Sequence, residues 1–276
     1  MNRWLPAPGA AGRLMAAALL AVVLLAALWP QLLATHPPDQ VDPVAALAAP
    51  SAEHWFGTDH LGRDLYSRVV HGARPSLFLG LGATAVAIAL GSVLAVIALV
   101  GGRVADEAVM RLTDIFFAFP GILLALLVVA ILGPGTVNAT IAIGCAFAPG
   151  FTRLVRGEAL VVRESDYVRA ALVLGYRGAQ IQVRHVLPNA LPPLFALATL
   201  TVGTAVLAGS SLSFLGLGPQ PPNPEWGAML AEGRDFLGSG WALAVFPGAA
   251  LTLTVIAVTV LGRDLRARFE GRGPGG

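Results

Sequence analysis

Lysine is absent from this chain: all eighteen basic residues are arginine. Without lysine no Walker A phosphate loop and no Schiff-base chemistry can be written. If the protein uses ATP, another chain must bind it. Cysteine is nearly absent too. Cys145 stands alone in an apolar run, which excludes a disulfide framework and a thiolate metal cluster and reads as a small buried hydrophobe. Charge is scarce, at 12% of residues against 56% hydrophobic, about half the charged share of a soluble domain. A soluble globular enzyme is therefore excluded first.

What fills the chain is uncharged sequence in runs long enough for lipid, where a spanning helix needs about 20 apolar residues. Such runs cover 14–34, 76–100, 115–152, 186–224 and 236–262. Gly133-Pro134-Gly135 divides the third into 115–132 and 136–152, an antiparallel pair joined by a tight turn. Pro188, Pro192 and Pro193 crowd the start of the fourth and confine its span to about 190–212. The expectation is an all-α polytopic membrane protein with six transmembrane helices. The first run could also be read as a secretory signal, but its length favours a span.

Orientation follows from the arginines. With the N-terminus inside, the inner segments hold Arg3, Arg13, Arg103, Arg111, Arg153, Arg156, Arg163, Arg169, Arg177, Arg184, Arg263, Arg266, Arg268 and Arg272, whereas the outer ones hold only Arg63, Arg68, Arg74 and Arg234. Both termini are expected in the cytoplasm. The chain then divides into an N-terminal helix with its outer loop (1–75), a five-helix core (76–265) containing the inner loop 153–189, and a short cytoplasmic tail (266–276).

No ionisable side chain falls within the six spans, which argues against a proton-coupled carrier. Asp114 and Arg153 lie at the interfaces. No nucleophile-base pair is in view, so no catalytic residue and no cofactor are expected. His54 and His60 could hold a metal only with ligands that the sequence does not identify, and no metal site is expected. Nor is a nucleic-acid partner; the surroundings are a lipid bilayer. Ala83, Ala87, Gly91 and Ala95 form a stripe of small residues at four-residue spacing, which supports close helix packing weakly because alanine is abundant throughout. Pro120 and Pro247 are expected to kink their spans.

The inner loop carries the clearest local pattern. Ser165-Asp166 can cap a helix in which Tyr167, Ala170, Ala171 and Leu174 recur at i, i+3, i+4 and i+7, with Gly175 as its stop. Such a helix could rest on lipid headgroups or meet a partner protein. On the opposite side, Gly57, Gly62 and Thr58-Asp59 suit a tight turn leading into a short helix. Arg63, Asp64 and Arg68 are spaced there for local charge contacts. A structural role for that segment is favoured over contact with substrate.

Asp166-Tyr167-Val168-Arg169-Ala170-Ala171, Gly175, and then His185-Val186-Leu187-Pro188-Asn189 together resemble the EAA loop of ATP-binding-cassette importer permeases. Phe56 through Arg68 contains Gly57, Thr58, Asp59, Gly62, Arg63, Asp64, Ser67 and Arg68 in the pattern GTDxxGRDxxSR. This is similar to the segment found in dipeptide, oligopeptide and nickel permeases of the DppC/OppC type. Ala118-Phe119-Pro120, Leu132-Gly133-Pro134-Gly135, Ser213 through Gly218, Gln220-Pro221-Pro222 and Glu225-Trp226-Gly227 extend the likeness along the chain.

The resemblance implies a type I importer permease fold in a bacterial or archaeal inner membrane. It also implies a second permease of DppB/OppB type, two ATPase subunits and an extracytoplasmic solute-binding protein. The helix bearing Asp166, Tyr167, Arg169, Ala170, Ala171, Leu174 and Gly175 would dock into an ATPase groove and couple its closure to transport of a peptide or a related solute such as a nickel chelate. One departure stands out: where the family has its leading glutamate this chain has Arg169. An ATP-independent channel or facilitator is the rival reading.

Overall fold

The computed structural model describes residues 9–176, 178–220 and 222–269. Arg3, Arg177, Pro221, Arg272 and the tail beyond 269 lie outside the described residues. Among the described residues eleven α-helices follow one another: α1 (Ala10–Leu28), α2 (Leu65–Val100), α3 (Gly102–Ala118), α4 (Gly121–Leu132), α5 (Thr136–Arg163), α6 (Asp166–Val173), α7 (Gly178–Ile181), α8 (Leu187–Ala190), α9 (Pro192–Phe214), α10 (Trp226–Gly233) and α11 (Ala242–Phe269). A π-helical turn, Gln182–Val186, sits between α7 and α8. No strand occurs among the described residues, only an isolated bridge between Thr58 and Asp64.

Among the described residues four helices are long and apolar enough to cross a membrane, and a fifth span results if α3 and α4 count as one broken pair. The sixth expected span, 136–152, falls in α5. At 28 residues this helix reaches about 42 Å, but Asn138, Thr140, Thr152 and Arg153 dilute its apolar content. Its side chains serve the bundle interior instead: Ala139, Ala142, Val155 and Ala159 are fully buried.

Other boundaries also moved. The first run ends as a helix at Leu28, because Pro30 diverts the chain into a 3-10 turn. α2 begins at Leu65, not at 76, so the short helix expected after the Gly57–Gly62 turn is the first turns of a 36-residue helix that passes through Pro75. The third span is not one kinked helix. α3 stops at Ala118, Phe119 turns extended ahead of Pro120, and α4 leaves at 98° to α3. α11 runs unbroken through Pro247.

The bundle is centred on α2 packed along α5. Ala83, Ala87 and Ala95 have no exposed surface. A Cβ on Gly91 would stand 2.5 Å from Phe151 Cβ and 2.8 Å from the Ala148 carbonyl oxygen. The small-residue stripe is therefore a line of backbone approach, in which a hydrogen atom is the largest group the site admits. α9 closes on the neighbouring face of α2: a Cβ on Gly80 would fall 2.3 Å from Val206 Cγ2. α11 and α1 complete a second apolar cluster through Val23, Ala26, Val69, Val70 and Leu251.

Candidate functional site

Two segments hold the residues singled out by sequence, and they are built differently. The segment ahead of α2 is a knot of buried polar groups. Thr58 Oγ1 donates to the Ala45 carbonyl and accepts from Ala48 N at 2.9 Å. Asp59 accepts from Leu61 N (2.8 Å), Arg63 N (3.0 Å) and Arg63 Nε (2.6 Å), and Arg68 Nε lies 3.4 Å from it. Arg63 and Arg68 also reach Glu232 in the last turn of α10, at 3.3 and 3.7 Å. Asp64 caps α2 by accepting from Ser67 N at 2.8 Å. Ser67 Oγ in turn accepts from Thr35 N and His36 N.

Gly57 and Gly62 have φ of +78° and +74°, and a Cβ on either would collide with a backbone carbonyl, that of Ala48 at 2.4 Å or of Asp42 at 1.7 Å. Every polar residue of the motif thus contacts its own chain. Sequence gave no sign of Glu232 as the shared acid, because Asp59 and Asp64 already balance Arg63 and Arg68 within the motif.

The loop after α9 is riveted to this knot. Glu225 is fully buried; it caps α10 through Gly227 N and Ala228 N, both at 3.0 Å, and accepts from Ser76 Oγ at 3.0 Å. Trp226 Nε1 donates to the Val69 carbonyl at 2.9 Å, and Gly72 leaves room for its ring.

The segment 153–189, the expected inner loop, is open by comparison. α6 is held to the bundle by Val168 and Ala171, which are buried with Ala159 of α5, Ile181, Val186 and Ala190, beside Leu99 at the end of α2. The expected apolar face of Tyr167, Ala170, Ala171 and Leu174 is therefore split. Ala171, 6% exposed, turns inward, while Tyr167 (47%), Val173 (88%) and Leu174 (76%) face outward with Ala170. Val168 supplies the inward pairing at i, i+3 that the i, i+4 reading overlooked. Arg169 meets Glu164 at 3.2 Å at the surface.

Gly175 ends the helix at φ +83°, with Tyr176 N bonded to the Ala171 carbonyl and Leu174 N to that of Ala170, a Schellman closure. Ser165 does not cap with its hydroxyl, which donates back to the Val162 carbonyl at 2.6 Å; its own carbonyl receives Val168 N and Arg169 N.

Beyond α6 the chain forms the π-turn, where Leu187 N reaches back to the Gln182 carbonyl. Pro188 lacks an N–H and crowds the carbonyl of Arg184, which accounts for the widened turn just before it. A cleft of about 470 Å³ opens between this turn, the C-terminal ends of α2 and α5 and the start of α3, with Gln182, Arg163 and the Arg156–Asp106 pair on its walls. Arg156 Nη2 lies 2.6 Å from Asp106 Oδ2.

Residues 87–272 match the family model described as binding-protein-dependent transport system inner membrane component. The chain is 41% identical, over 94% of its length and 87% of the relative's, to the probable D,D-dipeptide transport system permease protein DdpC of Escherichia coli K12. It is 43% identical, over 90% of its length and 81% of the relative's, to the dipeptide transport system permease protein DppC of Alkalihalophilus pseudofirmus. Among solved structures it resembles the MetNI methionine ABC transporter in inward-facing conformations, at 22% identity and a TM-score of 0.56, over 72% of this chain and 95% of that one. That likeness concerns the fold. Taken with the family match across the bundle and the inner loop, the chain belongs to the binding-protein-dependent transport system inner membrane components, multi-pass permease subunits of ABC importers.

Proposed function

We propose that this permease conducts short peptides into the cytoplasm as one of a pair of related permease subunits. Two ATPases would drive it, and an extracytoplasmic binding protein would deliver the solute. The observation that carries the peptide reading is the 41% and 43% identity to permeases named for dipeptides, across nine tenths of the chain. The nickel-chelate reading gains nothing from these relatives, and family membership does not favour the ATP-independent channel. The chain itself turns over no nucleotide, since it has no lysine with which to complete a phosphate loop.

In this reading six spans cross the membrane with both termini inside, α5 being the sixth. The arginine asymmetry of fourteen to four supports that orientation. Residues 1–75 form the N-terminal helix and outer loop, 76–265 the core, and 266–276 the tail. α6 is the coupling helix. Its inward residues Val168 and Ala171 tie it to α2 and α5, so displacement of the helix would be felt by the bundle, and Tyr167, Ala170, Val173 and Leu174 present an apolar face to an ATPase groove. Asp166 and Arg169 flank that face, and Gly175 sets its end. Gly57 through Arg68 hold the outer loop in shape. The switch between inward- and outward-facing states is then a two-state equilibrium of the bundle biased by nucleotide through α6.

Uptake of a labelled dipeptide into proteoliposomes carrying the permease pair, with ATPases and binding protein from the same gene cluster, tests the function. ATP-dependent accumulation that needs all components is expected; equal flux without the ATPases would restore the channel reading. Orientation is tested with cysteines at Gln40, Gln180 and Ser239 after replacement of Cys145. An impermeant thiol reagent should label 40 and 239 in intact cells, and labelling at 180 would overturn the topology.

A further inference from the structure

The loop between α1 and α2 holds two buried carboxylates with different counter-charges. Asp59 has Arg63 and Arg68. Asp64, whose side chain is 1% exposed, has no guanidinium within ion-pair distance among the described residues; its only basic neighbours are His54 at 2.9 Å and His36 at 3.9 Å. The two imidazole rings lie 4.9 Å apart, centroid to centroid. Asp64 also accepts from Ser67 N at 2.8 Å and from Thr35 Oγ1 at 3.4 Å, but no permanent positive charge faces it among the described residues, which leaves a place for a cation shared with the two rings.

We propose that His36, His54 and Asp64 form a binding site for a borderline-soft divalent cation of the zinc type, held by two imidazole nitrogens and one carboxylate oxygen. Candidate ligand atoms from the three residues lie within 4.8 Å of one another. A tetrahedral zinc ion with bonds of about 2.0–2.1 Å sets its ligand atoms roughly 3.3 Å apart. His54 Nδ1 lies 2.9 Å from Asp64 Oδ1 and His36 Nδ1 3.9 Å from Asp64 Oδ2, on either side of that value, so each ring already faces one oxygen of the carboxylate.

All three ligands stand on fixed backbone. His36 N donates to Ser67 Oγ at 3.0 Å, the His54 carbonyl accepts from Ser51 N and Gly57 N, and Asp64 caps α2. Preorganisation of this kind is what a metal site needs. The imidazoles are 30% and 18% exposed, which gives an ion a way in and leaves a fourth position for water. The spacing of His54 and His60 in sequence suggested a different pairing. His60 instead stacks on Phe236 and neighbours Asp59 and Glu232, where Arg63 and Arg68 already occupy the carboxylates and repel a cation. An ion on His36, His54 and Asp64 would fasten the exit of α1, the middle of the loop and the first turn of α2. The proposal does not rest on the transport reading.

Zinc binding is measured by titration calorimetry on the assembled permease complex, purified without a polyhistidine tag, and the bound ion's neighbours are counted by X-ray absorption. One class of site is expected with an imidazole-containing shell that carries two nitrogen ligands from this chain. His36→Gln and His54→Gln, which keep a hydrogen-bond donor and so preserve the loop, should each weaken that site tenfold or more. His71→Gln, a control whose ring meets the Ser67 carbonyl, should leave it unchanged. Equal zinc affinity in wild type and in the His36 and His54 variants, or a shell without imidazole, would overturn the site. So would the absence of binding to folded wild type.

Discussion

Residues 57–68 and 163–176 are loops of similar length, each with four charged side chains, and they use that charge in opposite ways. Asp59, Arg63, Asp64 and Arg68 are each 3% exposed or less, whereas Arg163, Glu164, Asp166 and Arg169 are all exposed. The first loop turns its charges inward as cross-links, with Asp59, Arg63 and Arg68 paired to one another and to Glu232. The second keeps its charges in water and leaves apolar side chains there too, with Val173 and Leu174 more exposed than any residue of a self-sufficient loop has reason to be. A charged motif is thus no guide to where a partner binds. Unpaired apolar surface on a rigid helix is the better one.

The comparison breaks most sharply at glycine. Gly62→Ala meets both a left-handed backbone and the Asp42 carbonyl oxygen at 1.7 Å. Conformational strain of about 1–2 kcal/mol adds to overpacking of about 1–3 kcal/mol. A severe loss of folded permease is expected, read as a lowered thermal midpoint in detergent and reduced yield. A variant as stable as wild type would mean the outer knot is loose.

Close behind comes Asp59→Asn, which keeps the shape but removes the charge shared by two buried guanidiniums. Breaking one side of a buried charge network costs about 3–5 kcal/mol, here offset in part by Glu232. The thermal midpoint should fall clearly, while ATPase co-purification from the surviving folded fraction should be unchanged. Loss of the ATPases with no change in stability would make this loop part of the coupling machinery and erase the contrast.

The inner loop is separated into its two faces by Ala171→Glu and Leu174→Glu. Ala171 sits at 6% exposure against Val186 and Ala159, so a carboxylate there is buried without a partner, at a cost of several kcal/mol. The loop itself should open, as faster proteolysis between 164 and 190 in the permease alone. Leu174 is 76% exposed, and its replacement should leave proteolysis unchanged but abolish ATPase co-purification and the stimulation of turnover by loaded binding protein. If Leu174→Glu couples normally, the outward face of α6 is not the docking face. Gly175→Ala is milder than either, because no atom lies within 4 Å of its Cβ and only the φ of +83° resists, about 1 kcal/mol.

Much of the architecture was legible in the sequence because lipid imposes it: five of the six expected spans coincide with helices or with the broken pair that qualify as spans. What was not legible depended on neighbours. Pro120 announced a disturbance, but whether a proline kinks or breaks a helix is decided by what can take up the freed carbonyls, and here the chain turns through 98°. Likewise the i, i+3, i+4 pattern of α6 marked an amphipathic helix without saying which side met the bundle. Alanine fits both a buried seam and an exposed face, and Val168 was the residue that discriminated. The outer motif announced its charges, yet its fourth partner, Glu232, lies 164 positions beyond Arg68 in a segment with no matching signal.

The smallest effect is expected at Arg169, the most central of the solvent-facing charges on α6. Arg169 Nη2 and Glu164 Oε2 are 3.2 Å apart, but the side chains are 63% and 79% exposed. Surface pairs of that kind contribute about 0.2–1 kcal/mol and are screened by salt. The cation also lies in the first turns of α6, where the helix dipole favours negative charge and gives arginine no additional support. Arg169→Ala should therefore change the thermal midpoint little. If docking depends on the apolar residues Tyr167, Ala170, Val173 and Leu174, ATPase stimulation should persist as well, with the same dependence on ionic strength as wild type. A large loss of stimulation at unchanged stability would show that Arg169 meets a carboxylate on the ATPase. The charges of the inner loop would then be contacts rather than solvated side chains, and the distinction between the two loops would rest on partner identity instead of on apolar exposure.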